Sequence, residues 1–175
     1  MARAARLFAT LSLVLGTCAP AFLPTAARAE TTVFVVRHAE KVDSSEDPDL
    51  DATGRERARL LRDMLRDIPI DSIYSSRYQR ALQTVLPTAQ LKEQMPVIHT
   101  TERIASITAA LRSSAADSVD RYVLAAGHSN TVILWLKGLG IDSIAELMDH
   151  EWDNLFIVTI GDGGRSRLLR LHYGY

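Results

Sequence analysis

Apolar and polar positions along this chain sort into two alternating kinds of segment. Thr32 to Arg37 is a dense apolar run containing Val33-Phe34-Val35-Val36, the pattern of a strand buried on both faces. A polar loop follows, Lys41 to Leu50, rich in Asp and Ser and carrying Pro48. Asp51-Ala52-Thr53-Gly54 then opens a helix, with Asp51 or Thr53 as the N-cap. Ala58, Leu61, Leu65 and Ile68 recur at spacings of three and four, which predicts one apolar stripe ended by Pro69. Ser72 to Ser75 reads as a short strand and a helix starts near Arg77, which Pro87 should kink or end near Leu86. Met95 to His99 predicts a third strand and Ile104 to Ala115 a third helix. Tyr122 to Ala126 is a fourth, continuously apolar strand running into Gly127-His128-Ser129-Asn130. The helix Thr131 to Leu139 comes next, with Asn130 as its N-cap and Gly140 closing it. Asn154 to Ile160 and Arg165 to His172 alternate around Gly161-Asp162-Gly163-Gly164, a terminal hairpin.

Strands separated by helices over most of the length imply an α/β fold of three layers. It is a helix-covered, largely parallel sheet, to which the final hairpin adds an antiparallel edge. Trp135, Leu136, Trp152 and Phe156 are expected to pack rather than to bind anything.

The first 29 residues change the picture of what the mature chain is. Arg3 and Arg6 make a basic start, Leu7 to Leu15 a short apolar stretch, and Ala27-Arg28-Ala29 a small-x-small cleavage pattern. Residues 1–29 therefore read as a signal peptide, too short in its apolar part to stay in a bilayer. Residues 30–175 then form one domain, exported to a periplasm or secreted. Cys18 is the only cysteine and lies in this leader, with lipid anchoring there as a minor alternative. A mature chain without a thiol excludes disulfides, thiolate metal sites and cysteine nucleophiles. Removing the leader leaves 17 basic residues against 21 acidic ones, with no Lys/Arg-rich run to hold a nucleic acid.

Candidate chemistry lies at strand ends, where open α/β sheets bind ligands. Arg37, His38 and His128 each stand just past such an end, and Arg80 falls in the first turn of the following helix. The strand-end segment Arg37-His38-Ala39-Glu40 resembles the signature of the histidine phosphatase (phosphoglycerate mutase-like) superfamily. The same family's Ser-x-x-x-Arg-Ala-x-Gln-Thr segment is matched by Ser76 to Thr84, and its later Gly-His by Gly127-His128. Leu50-Asp51-Ala52-Thr53-Gly54 matches the family's Leu-Thr-x-x-Gly only approximately. The short chain is similar to the small phosphohistidine phosphatases.

That resemblance implies His38 as a nucleophile forming a phosphohistidine, with Arg37, Arg80 and His128 binding the phosphate. The residue types suit these roles. A neutral imidazole presents a lone pair to phosphorus, and guanidinium forks match equatorial oxygens. No metal and no cofactor is expected. Glu102 is the topological match for the family's general acid, with Glu40 and Asp43 as rivals close to the first strand. The expected reaction is hydrolysis of a phosphomonoester or phosphoramidate on a small molecule, glycolipid or phosphoprotein. The alternative is a noncatalytic phosphate-binding envelope protein. A serine-hydrolase reading of Gly127-His128-Ser129-Asn130-Thr131 fails because Thr131 stands where Gly is required. Lys41 and Arg77 are candidates for the pocket rim, while His99, His150 and His172 show no ligand-like spacing.

Overall fold

The structure is a computed structural model that describes residues 29–114 and 119–174. The predicted leader and Cys18 lie outside the described residues, apart from Ala29.

Six strands form one sheet in the order β3-β2-β4-β1-β5-β6. They are β1 (Thr31–Arg37), β2 (Ser72–Ser75), β3 (Val97–Ile98), β4 (Arg121–Gly127), β5 (Asn154–Ile160) and β6 (Ser166–His172). The first four run parallel, whereas β5 pairs antiparallel with β1, and β6 antiparallel with β5. The helices are α1 (Ala52–Met64), α2 (Gln79–Leu91), α3 (Ile104–Ser114) and α4 (Ser129–Gly138). This is the predicted architecture, with the C-terminal hairpin forming one margin of the sheet.

The alternation of side chains along β1 divides the core. Val33 and Val35 face one side, with Val123 and Ala125 of β4, and pack under Ile104 and Leu111 of α3 and Trp135 of α4. Phe34 and Val36 face the other, with Leu124 and Ala126, and pack under Leu61 of α1 and Val85 and Ala89 of α2. Two sealed faces explain why both central strands are apolar throughout rather than alternating. Trp135 and Phe156 are fully buried, as expected of packing residues.

Several boundaries differ from the pattern-based reading. Asp51 is the N-cap of α1, accepting from the Gly54 amide at 2.7 Å. That helix ends at Met64, four residues before the predicted Ile68. The chain tightens through Arg66 N–H to Asp63 and Ile68 N–H to Leu65 instead. Pro69 disfavours a helical Ile68, so its influence reaches upstream. Conversely, α2 begins at Gln79 and runs through Pro87 to Leu91. A proline there removes one backbone bond, but buried Val85, Thr88 and Ala89 hold the turn against the sheet. The third strand shrinks to two exposed residues at the margin, where only β2 supports it. The N-cap of α4 is His128, not Asn130, and its amide donates to the Thr131 hydroxyl at 2.7 Å. Gly140, at φ +88, closes α4 as the pattern requires.

Register places the candidate residues. In the β1–β4 pairing Arg37 stands opposite Gly127, and the His38 amide donates to the Gly127 carbonyl at 2.8 Å. Ser75, the last residue of β2, pairs with Ala126. Three strands thus end together, delivering residues 37–38, 76 and 128 to one margin.

Candidate active site

His38 and His128 meet with ring centroids 5.3 Å apart, although ninety residues separate them in the chain. Both line a cavity of about 400 Å³ together with Arg80, Lys41, Ser45 and Tyr78. The far wall is Thr101 and the start of α4, Ser129 to Thr131. Three of the four predicted phosphate-site residues therefore share one cavity.

His38 is buried, and its Nδ1 lies 2.8 Å from the Ala39 carbonyl. A carbonyl only accepts, so Nδ1 carries the proton and Nε2 keeps its lone pair. Burial pushes the His38 pKa down to about 3, and the positive neighbours His128, Arg37 and Arg80 push in the same direction. The ring is thus neutral at neutral pH, the form a nucleophile needs. His128 is pushed down to about 4, by burial first and then by Arg80 and Arg37. Its Nε2 lies 2.9 Å from the Ser76 hydroxyl, and Tyr78 meets it edge-on at 5.2 Å. An arriving phosphate dianion supplies the missing counter-charge and favours protonation of His128.

Arg80 is anchored on the loop side, with Nη1 donating to the Glu46 carbonyl at 3.1 Å and lying 3.9 Å from Asp47. Its guanidinium stacks over Tyr78 at 4.6 Å. Arg37 is buried and is not among the residues that line the cavity. Nη1 donates to the Met148 carbonyl at 2.7 Å, Trp152 lies 5.6 Å from the guanidinium, and Nε has no hydrogen-bond partner among the described residues. Its charge still reaches both imidazoles, as their lowered pKa values record.

The carboxylates sort differently. Glu40 is buried in a bidentate ion pair with Arg57, at 2.6 to 3.0 Å, which removes it as a rival proton donor. Asp43 lies on the exposed loop, where its carboxylate accepts from the Ser45 amide. Glu102 lines an adjoining cleft of about 320 Å³, which shares Tyr78, Thr101, His128 and Thr131 with the first cavity. Its carboxyl is held below the ordinary range by a hydrogen bond from Thr100. Among the described residues, no carboxylate lines the His38 cavity itself.

Lys41 reaches the rim of the His38 cavity and Arg77 the rim of the adjoining cleft. His99 is buried against Trp135, centroids 5.4 Å apart, and lines that cleft as well. His172 pairs with Asp153 at 3.0 Å. Three residues of the site escaped the sequence reading. Ser76 touches His128, Tyr78 lies under Arg80, and the Thr84 hydroxyl accepts from the Ala39 amide at 2.9 Å. All three belong to the segment that supplies Arg80, so the signal was present but attached to one residue. Among the described residues, no cluster of His, Cys, Asp or Glu is placed to hold a metal ion, and no helix is long and apolar enough to cross a membrane.

Residues 33–110 match the family model of the histidine phosphatase superfamily (branch 1). A probable phosphatase of Schizosaccharomyces pombe is 33% identical over 75 residues, covering 39% of this chain and 36% of its own length. The match thus spans about a third of that relative. Among solved structures, the protein histidine phosphatase SixA with tungstate superposes with a TM-score of 0.65 at 19% identity, over 81% of this chain and 96% of that one. A mycobacterial glucosyl-3-phosphoglycerate phosphatase superposes with a TM-score of 0.66 at 14% identity, over 83% and 100%. At these identities the structural likeness establishes the fold.

Proposed function

As a chain with the signature and the fold of the histidine phosphatase superfamily, this protein is, we propose, an exported phosphohydrolase working through a phosphohistidine on His38. The observation that carries this reading is the His38 ring itself, neutral, with Nδ1–H tied to the Ala39 carbonyl and Nε2 left to attack. Nε2 bonds to phosphorus as the P–O or P–N bond to the leaving group breaks, and the leaving group takes up a proton. Water then attacks the phosphohistidine, returning the lone pair to Nε2 and releasing phosphate. Arg80 and His128 neutralise the charge on the transferring oxygens, with the buried Arg37 adding positive charge from outside the cavity.

The proton for the leaving group decides the substrate class. Glu102 is the carboxylate we assign to this task, and it stands in the cleft beside His128 rather than in the phosphate cavity. Because its carboxyl is held low, it serves poorly when the leaving group is a basic alkoxide. Phosphoramidates and aryl phosphates, whose leaving groups protonate easily or are weakly basic, are the substrates this arrangement suits. Phosphohistidine in a protein fits that class, and SixA-type relatives are named for it.

The test is hydrolysis of an aryl phosphate in EDTA, with trapping of labelled phosphate on the quenched protein. Wild type should turn over and trap label, and His38→Ala should do neither while keeping its circular dichroism spectrum. Tight vanadate binding by wild type without any turnover would replace the enzyme with a phosphate-binding protein.

A further inference from the structure

The turn that carries His38 is fastened to residues with no part in the cavity, Arg57 of α1 and Tyr173 just after β6. Glu40 and Arg57 are buried together, at 8% and 6% exposure. Arg57 Nε lies 2.9 and 3.0 Å from the two Glu40 oxygens, and Nη2 lies 2.6 Å from Oε1. The remaining Nη1 donates to the Tyr173 carbonyl, and the Tyr173 ring lies 5.5 Å from the guanidinium. Tyr173 is itself buried, and its amide donates to the Asp153 carbonyl at 2.8 Å. Gly174 adopts φ +92, where a side-chain Cβ would fall 2.5 Å from Arg57 Nη1, so the backbone at this position closes tightly over the guanidinium.

Glu40 is held by its backbone too. Its carbonyl accepts from the Asp51 amide at 3.0 Å, and a Cβ on Gly54 would fall 2.1 Å from that oxygen. On the other side of the turn, Thr84 holds the Ala39 amide. The backbone groups on either side of the Ala39–Glu40 peptide are therefore both held. Its oxygen is the one that meets His38 Nδ1. Turning that peptide over would take the Ala39 carbonyl away from Nδ1 and leave the proton free to sit on either ring nitrogen.

We propose that Arg57, gripped between Glu40 and the C-terminal Tyr173, is a positioning residue that sets the tautomer of His38 and so directs phosphate onto Nε2. The proposal extends the catalytic reading of His38 and rests on it for its effect on rate. The tautomer itself is independent of turnover. Arg57 lines neither cavity, so its grip on Glu40 reaches His38 through the backbone of the turn. Lysine at 57 keeps the charge but not the fork, and so supplies a graded variant.

The imidazole nitrogens of His38 are read by ¹⁵N NMR in wild type, Arg57→Lys, Arg57→Ala and a chain ending at His172. Aryl phosphate turnover and inhibition by inorganic phosphate are measured on the same proteins. Wild type should show a single Nδ1–H tautomer. The alanine and truncated proteins should show a mixture, with kcat down about tenfold and the phosphate inhibition constant within about threefold. Trapped phosphoenzyme should then contain the Nδ1-phosphorylated isomer as well. Arg57→Lys should fall between. If Arg57→Ala does not fold, the lysine and truncated proteins carry the test. A retained Nδ1–H tautomer with unchanged kcat overturns the proposal. So does a loss of phosphate binding in proportion to the loss of rate, which marks a general loss of fold. A wild type that shows the expected tautomer yet traps no phosphate sinks the catalytic reading and leaves the tautomer comparison to decide the clamp.

Discussion

On the floor of the cavity, the turn after β1 is held through the Gly127 carbonyl, the Thr84 hydroxyl, the Asp51 amide and the Arg57 guanidinium, all within buried surroundings. On the rim, Lys41, Ser45, Arg77 and Glu102 stand in solvent-facing loops and bond to backbone or to close neighbours in sequence. A floor held this firmly keeps the His38 ring in place, so the proposed phosphoryl step would depend little on what the phosphate was attached to. A loosely tied rim tolerates change and chooses the substrate. The chemistry and the specificity of this fold are thus assigned to regions of different rigidity.

Removing a charge that lines the His38 cavity should have the largest effect. Arg80→Ala is expected to cut turnover of an aryl phosphate by about 10²-fold, the scale for losing a preorganised charge donor. Arg77→Ala, one turn nearer the rim, should change it only a few-fold. Equal losses from the two variants would erase the distinction between floor and rim.

A second effect separates the regions by pH. His38 and His128 are neutral in the fold down to about pH 3 and 4, whereas a free histidine protonates near 6.5. Between those values the unfolded chain binds more protons, so stability is fully present above about pH 6.5 and is lost as pH falls toward 3. Urea midpoints should therefore drop from pH 7 to pH 4.5, and less steeply in His38→Ala. Inorganic phosphate should flatten the slope in wild type by pairing with protonated His128. Parallel slopes in wild type and variant would show that the imidazoles are not the titrating groups.

The smallest effect belongs to the rim. Glu102→Gln should leave aryl phosphate turnover within about twofold while lowering an already slow alkyl phosphate rate severalfold. An intact alkyl rate would remove Glu102 from the mechanism.

Much of this was legible along the chain, for identifiable reasons. β1 and β4 announced themselves because strands sealed on both faces must be apolar at every position, and they carried the histidines at their ends. Glycine at 140 and aspartate at 51 marked helix ends because each answers a local backbone requirement. The errors arose where distant packing overrode local preference. Pro87 sits inside α2 because the sheet holds the residues around it, and His128 took the cap role from Asn130 because β4 delivers the chain to the helix two residues earlier. Glu40 looked like a possible acid by its nearness to His38, and only folding brought Arg57 and Tyr173 against it.

Residue type and strand-end position determined which side chains are candidates to take up and transfer a phosphoryl group, because those properties are intrinsic to an imidazole, a guanidinium and a parallel sheet. Which carboxylate is spent on an ion pair, and what backbone that pair is held against, depend on contacts between residues 17 to 116 positions apart. Such contacts follow from the packing of the whole domain, and no local pattern encodes them.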